Sequence, residues 1–172
     1  MSAAATAGLT LDTGALLALD HPGKAVAMQA RLDEARRRGG TICIPAEVVA
    51  RAWRSSRQAR LARLLKSSDI DVAVMTLSVA RSVGLMCADV KHNDVVDVHV
   101  VLCARQRHHA IVTSDPHDIA RVDPAVPRIL VLVDCIGSSS GGHGFRANWD
   151  VGGEPGHRLP RGRSSSLNPS GR

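Results

Sequence analysis

Five acidic side chains stand at positions where an α/β sheet would bring them together. Three of them follow short apolar runs that predict strands, and two open an apolar helical segment; they are Asp12, Glu47 and Asp115, and Asp94 and Asp97. In open parallel sheets the carboxyl ends of the strands lie along one edge, and such folds bind their ligands at that edge. The spacing therefore predicts that these carboxylates meet in one site.

Carboxylates gathered in this way repel one another unless a cation lies among them. Mg²⁺ and Mn²⁺ prefer oxygen ligands, and Mg²⁺ typically keeps several waters beside one or two protein carboxylates. Two such ions about 4 Å apart can activate a water and stabilise the leaving oxygen of a phosphoryl displacement. We therefore predict a Mg²⁺ or Mn²⁺ site. Its metal ligands are predicted to be Asp12, Asp94, Asp97 and Asp115, and its catalytic residues Asp12, Glu47, Asp97 and Asp115.

Purely structural roles compete with this interpretation at several positions. Asp94 could simply cap its helix, and Glu47 could be a first-turn acid that the helix dipole favours. Asp118 is better explained as a cap or as the partner of a neighbouring group. His99 lies in the middle of an apolar helical segment, which favours a core residue, and His109 is expected in solvent. The residue types alone leave the roles of Asp94 and Glu47 open.

A run of basic residues without any acid points to an anionic partner. Residues 48–67 contain six basic side chains, which recur at every third position: Arg51, Arg54, Arg57, Arg60, Arg63 and Lys66. The whole chain has a formal net charge of +6, and clustered basic residues are typical of nucleic-acid contacts. We predict phosphate contact for this run, first of all for Arg51, Arg54, Arg57 and Arg60. The alternative is a solvated helix face.

Several classes of protein lack support because their motifs are missing. The sequence has no glycine-rich nucleotide loop, no GxSxG motif and no His pair at the spacing of a zinc-binding helix. Four cysteines lie far apart, which predicts reduced core thiols of a cytosolic protein: Cys43, Cys87, Cys103 and Cys135. No apolar run reaches the roughly 18 residues of a membrane span, and we see no signal peptide. We therefore expect a cytoplasmic protein that does not enter a membrane.

Short apolar runs alternate with helical patterns along residues 1–134. The predicted strands are Leu9–Leu11, Thr41–Ile44, Ile70–Met75, Ala110–Thr113 and Arg128–Val133. The predicted helices are Thr13–Leu19, Lys24–Arg38, one from Pro45 to about Lys66 in which Ser55-Ser56 marks the place for a break, Leu77–Met86, Asp94–His108 and Pro116–Arg121. This alternation predicts an α/β domain with a central, mainly parallel sheet and helices on both faces.

The composition changes after residue 134. Of residues 137–172, 19 are Gly, Ser or Pro, and apolar periodicity is almost absent. Such a segment cannot bury enough apolar surface to fold. We predict a single domain of residues 1–134 followed by a disordered, basic, Gly/Ser/Pro-rich tail of residues 135–172.

Four segments carry the acids in a distinctive order: LDTGALLAL with Asp12, IPAEVVARAW with Glu47, DVVDVHVVLCA with Asp97, and IVTSDPHDI with Asp115. In this order and spacing they resemble the PIN-domain ribonucleases, and within that family the VapC-type toxins of bacterial toxin–antitoxin pairs. The resemblance extends from about Leu9 to Val133. The family pattern matches Asp97 best as the third acid, because small and apolar residues follow it, and Asp94 is then an additional acid.

The resemblance implies a Rossmann-like, three-layer PIN fold, a Mg²⁺ or Mn²⁺ cofactor and endoribonuclease activity on structured RNA. It also implies a homodimer, and inhibition by a small cognate antitoxin protein whose segment fills the acidic cleft. Two alternatives stay open: a non-catalytic RNA-binding PIN module that uses the same basic residues, and a nuclease of the same fold that acts on DNA. The long Gly/Ser tail departs from the compact ending that is usual in the family.

Overall fold

The computed structural model of the protein describes residues 8–55, 58–126 and 128–132. Within these ranges the chain forms five strands and seven helices. The strands are β1 (Leu9–Leu11), β2 (Ile42–Pro45), β3 (Ile70–Ala73), β4 (Ala110–Thr113) and β5 (Ile129–Val131). The helices are α1 (Thr13–Ala18), α2 (Ala25–Arg37), α3 (Ala46–Ala52), α4 (Ala59–Leu65), α5 (Leu77–Val90), α6 (Val95–Arg107) and α7 (Pro116–Val122).

The five strands form one parallel sheet in the order β3-β2-β1-β4-β5. β1 lies at the centre, with Leu9 opposite Ile42 of β2 and Leu11 opposite Val112 of β4. Every residue of β1, β2 and β4 is buried, whereas the edge strands β3 and β5 are partly exposed. Strands buried on both faces need continuous apolar runs, so the predicted α/β fold with a central parallel sheet is confirmed.

Helices flank this sheet and complete a three-layer, Rossmann-like α/β structure. α6 packs on β1, β2 and β4 and against α5 and α7, while α1 packs against α2 and α3. The buried side of α6 is mainly apolar, with Val98, Val100 and Val101 fully buried. Each such side chain contributes roughly 1.5–3 kcal/mol of transfer free energy. Because Asp97 lies in the first turn of α6, this apolar packing also fixes the position of Asp97 relative to the sheet.

The helix predicted to run to about Lys66 is divided into α3 and α4, near the serine pair where a break was expected. α3 ends at Ala52, and Trp53 has an extended backbone with φ −74° and ψ 110°. Gln58 satisfies backbone groups that the break frees. Its Oε1 accepts from the N–H of Arg54 at 2.6 Å, and its Nε2 donates to the carbonyl of Ala52 at 2.9 Å.

His109 is buried, so the prediction that it lies in solvent is wrong. Its ring hydrogen-bonds to the hydroxyl of Thr10 at 3.3 Å and to that of Thr41 at 3.1 Å. The ring also packs over Gly8, where an added Cβ would lie 2.2 Å from Nε2. Burial lowers the pKa of His109. With both ring nitrogens hydrogen-bonded, the imidazole can be accommodated in the interior.

Three cysteines fall within the described residues, and all three are free thiols. Cys43 and Cys103 are buried and Cys87 is half-buried, as expected for reduced core thiols, while Cys135 lies outside the described residues. None of the helices in the described ranges is long and apolar enough to cross a membrane. The tail predicted for residues 135–172 lies outside the described residues.

Candidate functional site

The strand order reverses between β1 and β4, because the chain passes from β1 to β2 on one side and reaches β4 on the other. At such a reversal the two connections leave in opposite directions and open a crevice at the carboxyl edge of the sheet. Asp12 follows β1 directly, and Ser114 and Asp115 follow β4. An added Cβ at Gly14 would lie 2.0 Å from Ser114 Oγ, so the glycine lets these two strand ends approach closely.

Thr113, the last residue of β4, joins the acids of the two central strands. Its hydroxyl donates to Asp12 Oδ2 at 2.7 Å and accepts from the N–H of Asp115 at 2.9 Å. Asp115 in turn caps α7, because its Oδ1 accepts from the N–H groups of His117 and Asp118. Thr113 is fully buried and Asp12 is 8% exposed. One hydroxyl therefore holds the Asp12 carboxylate and the backbone of Asp115 together at the strand reversal.

Asp97, in the first turn of α6, is electrostatically crowded. Burial raises the pKa of Asp97 most, and the charges of Asp94 and Asp12 raise it further. A hydrogen bond between His92 Nε2 and Asp97 Oδ2 at 3.2 Å opposes the increase without cancelling it. The structure therefore brings Asp12, Asp94 and Asp97 within electrostatic range of one another, although they come from β1 and α6.

Asp94 has a structural role that the sequence left open, since it caps α6. Its Oδ1 accepts from the N–H groups of Val96 and Asp97. Arg51 of α3 donates to both of its carboxylate oxygens, at 2.9 and 2.7 Å. Burial is the largest influence on the pKa of Asp94 and raises it, but Arg51 and the backbone donors more than offset burial, so the pKa is lowered. The charge of Asp94 is thus already compensated.

Glu47, in the first turn of α3, is held by a residue that sequence reasoning did not connect to the site. His99 Nδ1 lies 2.8 Å from Glu47 Oε2, and the side chain of His99 is 2% exposed. The burial of His99 is as predicted for a core residue, but its hydrogen bond to an acid 52 positions away was missed. The spacing of His99 in the sequence carries no signal of that contact. Sequence reasoning also missed the hydrogen bond between His92 and Asp97.

A column of polar contacts continues along α6 below His99. Cys103, one turn further, interacts with both His99 and Cys43 of β2, and these interactions lower the pKa of Cys103 and raise that of Cys43. The interaction with Cys103 is also the largest cause of the raised pKa of His99; burial opposes it and Glu47 adds to it. One turn beyond Cys103, Arg107 pairs with Asp71 of β3 at 2.8 Å. α6 is therefore joined to α3, β2 and β3 by polar contacts as well as by apolar packing.

The donor chemistry at the strand reversal fits a hard divalent cation. Asp12 and Asp97 offer carboxylate oxygens, and the hydroxyl of Thr13 is buried without a hydrogen-bond partner in the described part of the chain. In the described residues, which include every candidate acid, no group of three His, Cys, Asp or Glu side chains is arranged to hold a metal ion. Mg²⁺ commonly keeps several waters beside one or two protein carboxylates, so Asp12 and Asp97 are the side chains that would hold such an ion.

The basic run is distributed over α3, α4 and the segment between them. Arg51 pairs with Asp94 at 2.7 Å. Arg54 donates to the backbone carbonyls of Ala50 and Trp53, at 2.9 and 3.1 Å. Arg60 donates to the carbonyl of Leu19 at 2.8 Å. Arg57 lies outside the described residues. On the opposite side of α4, Leu61 and Leu64 are buried. Three of the four arginines predicted to bind RNA therefore also have contacts within the protein.

Replacing Asp97 by Asn should stabilise the metal-free protein at neutral pH and raise its melting temperature by a few degrees. The pKa of Asp97 is raised in the folded chain, so the folded chain holds this proton to higher pH than the unfolded chain does. Its stability therefore falls as pH rises through the folded-state pKa. The gain from Asp97→Asn should be largest near about pH 7 and should shrink towards about pH 4, where Asp protonates even when unfolded. Thermal unfolding in a chelator over this range measures the difference.

Asp20→Asn is the matched control, since it removes the same charge from an exposed position. This variant should melt with the parent protein at every pH in the series. An Asp97→Asn variant that melts no higher than the parent near neutral pH would show that Asp97 is not crowded by its neighbours.

Comparison with protein-family models gives no match for this chain, and comparison with curated proteins gives none either. A functional conclusion must therefore rest on the geometry at the strand reversal and on the sequence motifs that deliver the acids to it.

Proposed function

We propose that the protein is a Mg²⁺- or Mn²⁺-dependent endoribonuclease of the PIN-domain type. One arrangement carries the proposal: Asp12 directly follows β1, and Asp97 lies in the first turn of α6, which packs on β1 and β4. The charge of Asp12 is among the causes that raise the pKa of Asp97. One or two carboxylates are the usual protein contribution to a Mg²⁺ site that acts on phosphates. The four acid-bearing motifs add support through their resemblance to PIN-domain ribonucleases, and in particular to the VapC-type toxins.

The residues of the site would divide the chemistry among themselves. Asp12 and Asp97 would hold the ion, with Thr113 keeping Asp12 in place through its 2.7 Å hydrogen bond. A bound ion lowers the pKa of a coordinated water and offsets charge that develops on the phosphate. Asp115 would orient the attacking water from the β4 side of the crevice, and Glu47 would accept a proton. Asp94 would contribute as a ligand only if Arg51 moved to another anion.

RNA is proposed as the substrate on the strength of the resemblance, with the basic run as its contact surface. A non-catalytic RNA-binding module would have no need of crowded acids, and the raised pKa of Asp97 therefore favours an enzyme. A DNA-directed nuclease of the same fold would use the same acids, so only the choice of substrate separates it from the proposal. Arg51 is exposed where it pairs with Asp94, so it could exchange its carboxylate partner for a backbone phosphate.

Amide substitutions should separate the acids that take part in cleavage from those that do not. Asp12→Asn, Asp97→Asn, Asp115→Asn and Glu47→Gln should each lower kcat for cleavage of a structured RNA at least about 100-fold, because oxygen ligands or proton acceptors are lost. Asp118→Asn is the control and should retain most activity, since its carboxylate lies 3.8 Å from Arg121 and caps nothing in the site. The measurement is single-turnover cleavage in Mg²⁺ or Mn²⁺, with DNA of the same sequence in parallel.

The arginine run should contribute to RNA affinity without taking part in the chemistry. Arg54→Gln combined with Arg57→Gln should raise KM several-fold and leave kcat within about twofold, as expected for contacts made equally in the ground and transition states. Arg37→Gln combined with Arg38→Gln removes two arginines from the end of α2 and serves as the control. RNA that is bound but never cleaved would favour the non-catalytic alternative, and cleavage of DNA alone would favour the DNA-directed one.

A second copy of the chain is proposed to cover the outer face of α5. Leu77 and Leu85 are each 70% exposed there, and an added Cβ at Gly84 would meet nothing within 4 Å. Arg81 and Asp89 lie four residues on either side of Leu85, and neither forms an ion pair with the described residues. In a two-fold antiparallel contact centred on Leu85, each Arg81 would meet Asp89 of the second copy.

Leu85→Glu should convert this proposed dimer to a monomer, because two like charges would be buried at the centre of the contact. Leu17→Glu places the same charge at another exposed leucine, on α1, and should leave the dimer intact. Sedimentation velocity measures both. A parent protein that sediments as a monomer at all concentrations, or a Leu85→Glu variant that stays dimeric, would exclude α5 as the interface.

The resemblance implies a small antitoxin with a segment in the acidic cleft, and another part of the same partner is proposed to bind a groove between α2 and α4. The groove has a volume of about 830 Å³ and is lined by apolar residues, including Leu32 and Leu64, and by Arg60 and Arg63. Arg36 also lines it, but pairs with Asp33 of the same groove and with Asp69. An amphipathic segment with acidic residues on its polar side would complement these features. Docking there would also bring the partner next to the proposed RNA-binding arginines.

Arg63→Glu should release such an antitoxin by placing like charges in contact. The protein should be co-expressed with the product of any short reading frame that lies immediately upstream of its gene, and the complex recovered through a tag on the antitoxin. Arg121→Glu, an exposed charge reversal on α7, should not affect recovery. Failure of the parent protein to co-purify, or equal recovery of both variants, would contradict the assignment of the groove.

A further inference from the structure

His99 is an exception among the buried residues of α6. The other buried positions of this helix are valine, alanine and cysteine, and a valine or leucine at position 99 would fill the interior without any need for hydrogen bonds. A buried imidazole is costly unless its ring nitrogens have partners. Nδ1 has such a partner here, since it lies 2.8 Å from Glu47 Oε2, and the ring also interacts with Cys103. The surroundings of His99 therefore provide for its polar ring.

The contact between His99 and Glu47 joins two layers of the fold at the edge that carries the acids. Glu47 enters from the first turn of α3, immediately after β2, whereas His99 comes from α6, two residues after Asp97. A carboxylate has no donor to offer, so Nδ1 must be the donor in this hydrogen bond. Cys103, one turn further along α6, also interacts with the ring. The orientation of Glu47 is thus set from within the core.

We infer that His99 is a positioning residue for the proposed reaction, which holds the Glu47 carboxylate in its working orientation by donating Nδ1–H to Oε2. The inference rests on the proposed function. His99 does not itself meet the substrate, because its side chain is almost wholly enclosed. Without this hydrogen bond Glu47, whose side chain is partly exposed, would sample several rotamers, and only a fraction of them would serve catalysis.

Three substitutions of His99 distinguish a positioning role from simple packing. His99→Leu keeps the volume roughly constant and removes the hydrogen bond to Glu47. In the His99→Asn variant, the side-chain amide nitrogen lies the same number of bonds from the backbone as Nδ1 of histidine, so it can still donate to Glu47. In the His99→Gln variant, the amide nitrogen corresponds to Nε2 of histidine, which does not face Glu47. His99→Leu should lower kcat about tenfold or more with KM within about twofold, and His99→Asn should recover most of the loss while His99→Gln should not.

His109→Leu is the matched control for the loss of a buried histidine. His109 is also enclosed and hydrogen-bonded, to Thr10 and Thr41, but it contacts none of the candidate acids. This variant should lose thermal stability as His99→Leu does and should keep the kcat of the parent protein. Assays are run below the lowest melting temperature in the series. If His99→Leu does not fold, the comparison of His99→Asn with His99→Gln decides the matter.

A double-substitution cycle and a spectroscopic measurement complete the test. In a Glu47→Gln background, His99→Leu should cause no further loss of single-turnover rate, because both changes act through one carboxylate. In the metal-free parent protein, a slowly exchanging imidazole N–H resonance should be present for His99, and Glu47→Gln should shift it. Equal kcat for His99→Leu and the parent, or losses that multiply in the double variant, would overturn the inference while leaving the proposed function standing. A parent protein that cleaves no nucleic acid would overturn the proposed function and the positioning role with it. The resonance would then show only that His99 and Glu47 are hydrogen-bonded.

Discussion

Carboxylates cannot be partly buried at the edge of a sheet without partners, because a desolvated charge is costly. In the candidate site, these acids have different kinds of hydrogen-bonding partner. Asp12 accepts from the buried hydroxyl of Thr113, and Asp115 accepts from the first N–H groups of α7. Asp94 is paired with Arg51. The strands, helix starts and loops around the strand reversal are therefore arranged by electrostatics as much as by apolar packing.

α6 is the element through which these arrangements are linked. Its valines bury it against the three central strands, and that packing sets the positions of Asp94 and Asp97 at its first turn. Its polar column, with His99, Cys103 and Arg107 at intervals of four residues, reaches α3, β2 and β3 in turn. Residues four apart lie on one face of a helix, so a single rotation of α6 aligns all three contacts. A small displacement of this helix would disturb both kinds of interaction together.

The sequence was sufficient for the sheet and for the positions of the acids, because both depend on local patterns. Apolar runs and helix-breaking residues are read within a few positions, and an acid after a strand must lie at the carboxyl edge. The sequence could not predict which side chains the acids and histidines would contact. Thr113 and Asp12 are 101 positions apart and His99 and Glu47 are 52, so their contacts depend on how distant elements pack. His109 was misjudged for the same reason, since only the structure brings Thr10, Thr41 and the open space above Gly8 to its ring.

The sequence distinguished Asp94 from Asp97 as the third acid of the site only by the family pattern. The structure distinguishes them by how far the charge of each carboxylate is compensated. Asp94 accepts four hydrogen bonds from Arg51 and the backbone, and its pKa is lowered. Asp97 has one weak partner in His92, and its pKa is raised by burial and by its two acidic neighbours. A divalent cation binds most favourably where negative charge is least compensated, since the relief of repulsion adds to the attraction. Electrostatics therefore favours Asp97 over Asp94 as a residue around which an ion would settle, and leaves Asp94 to fix the start of α6.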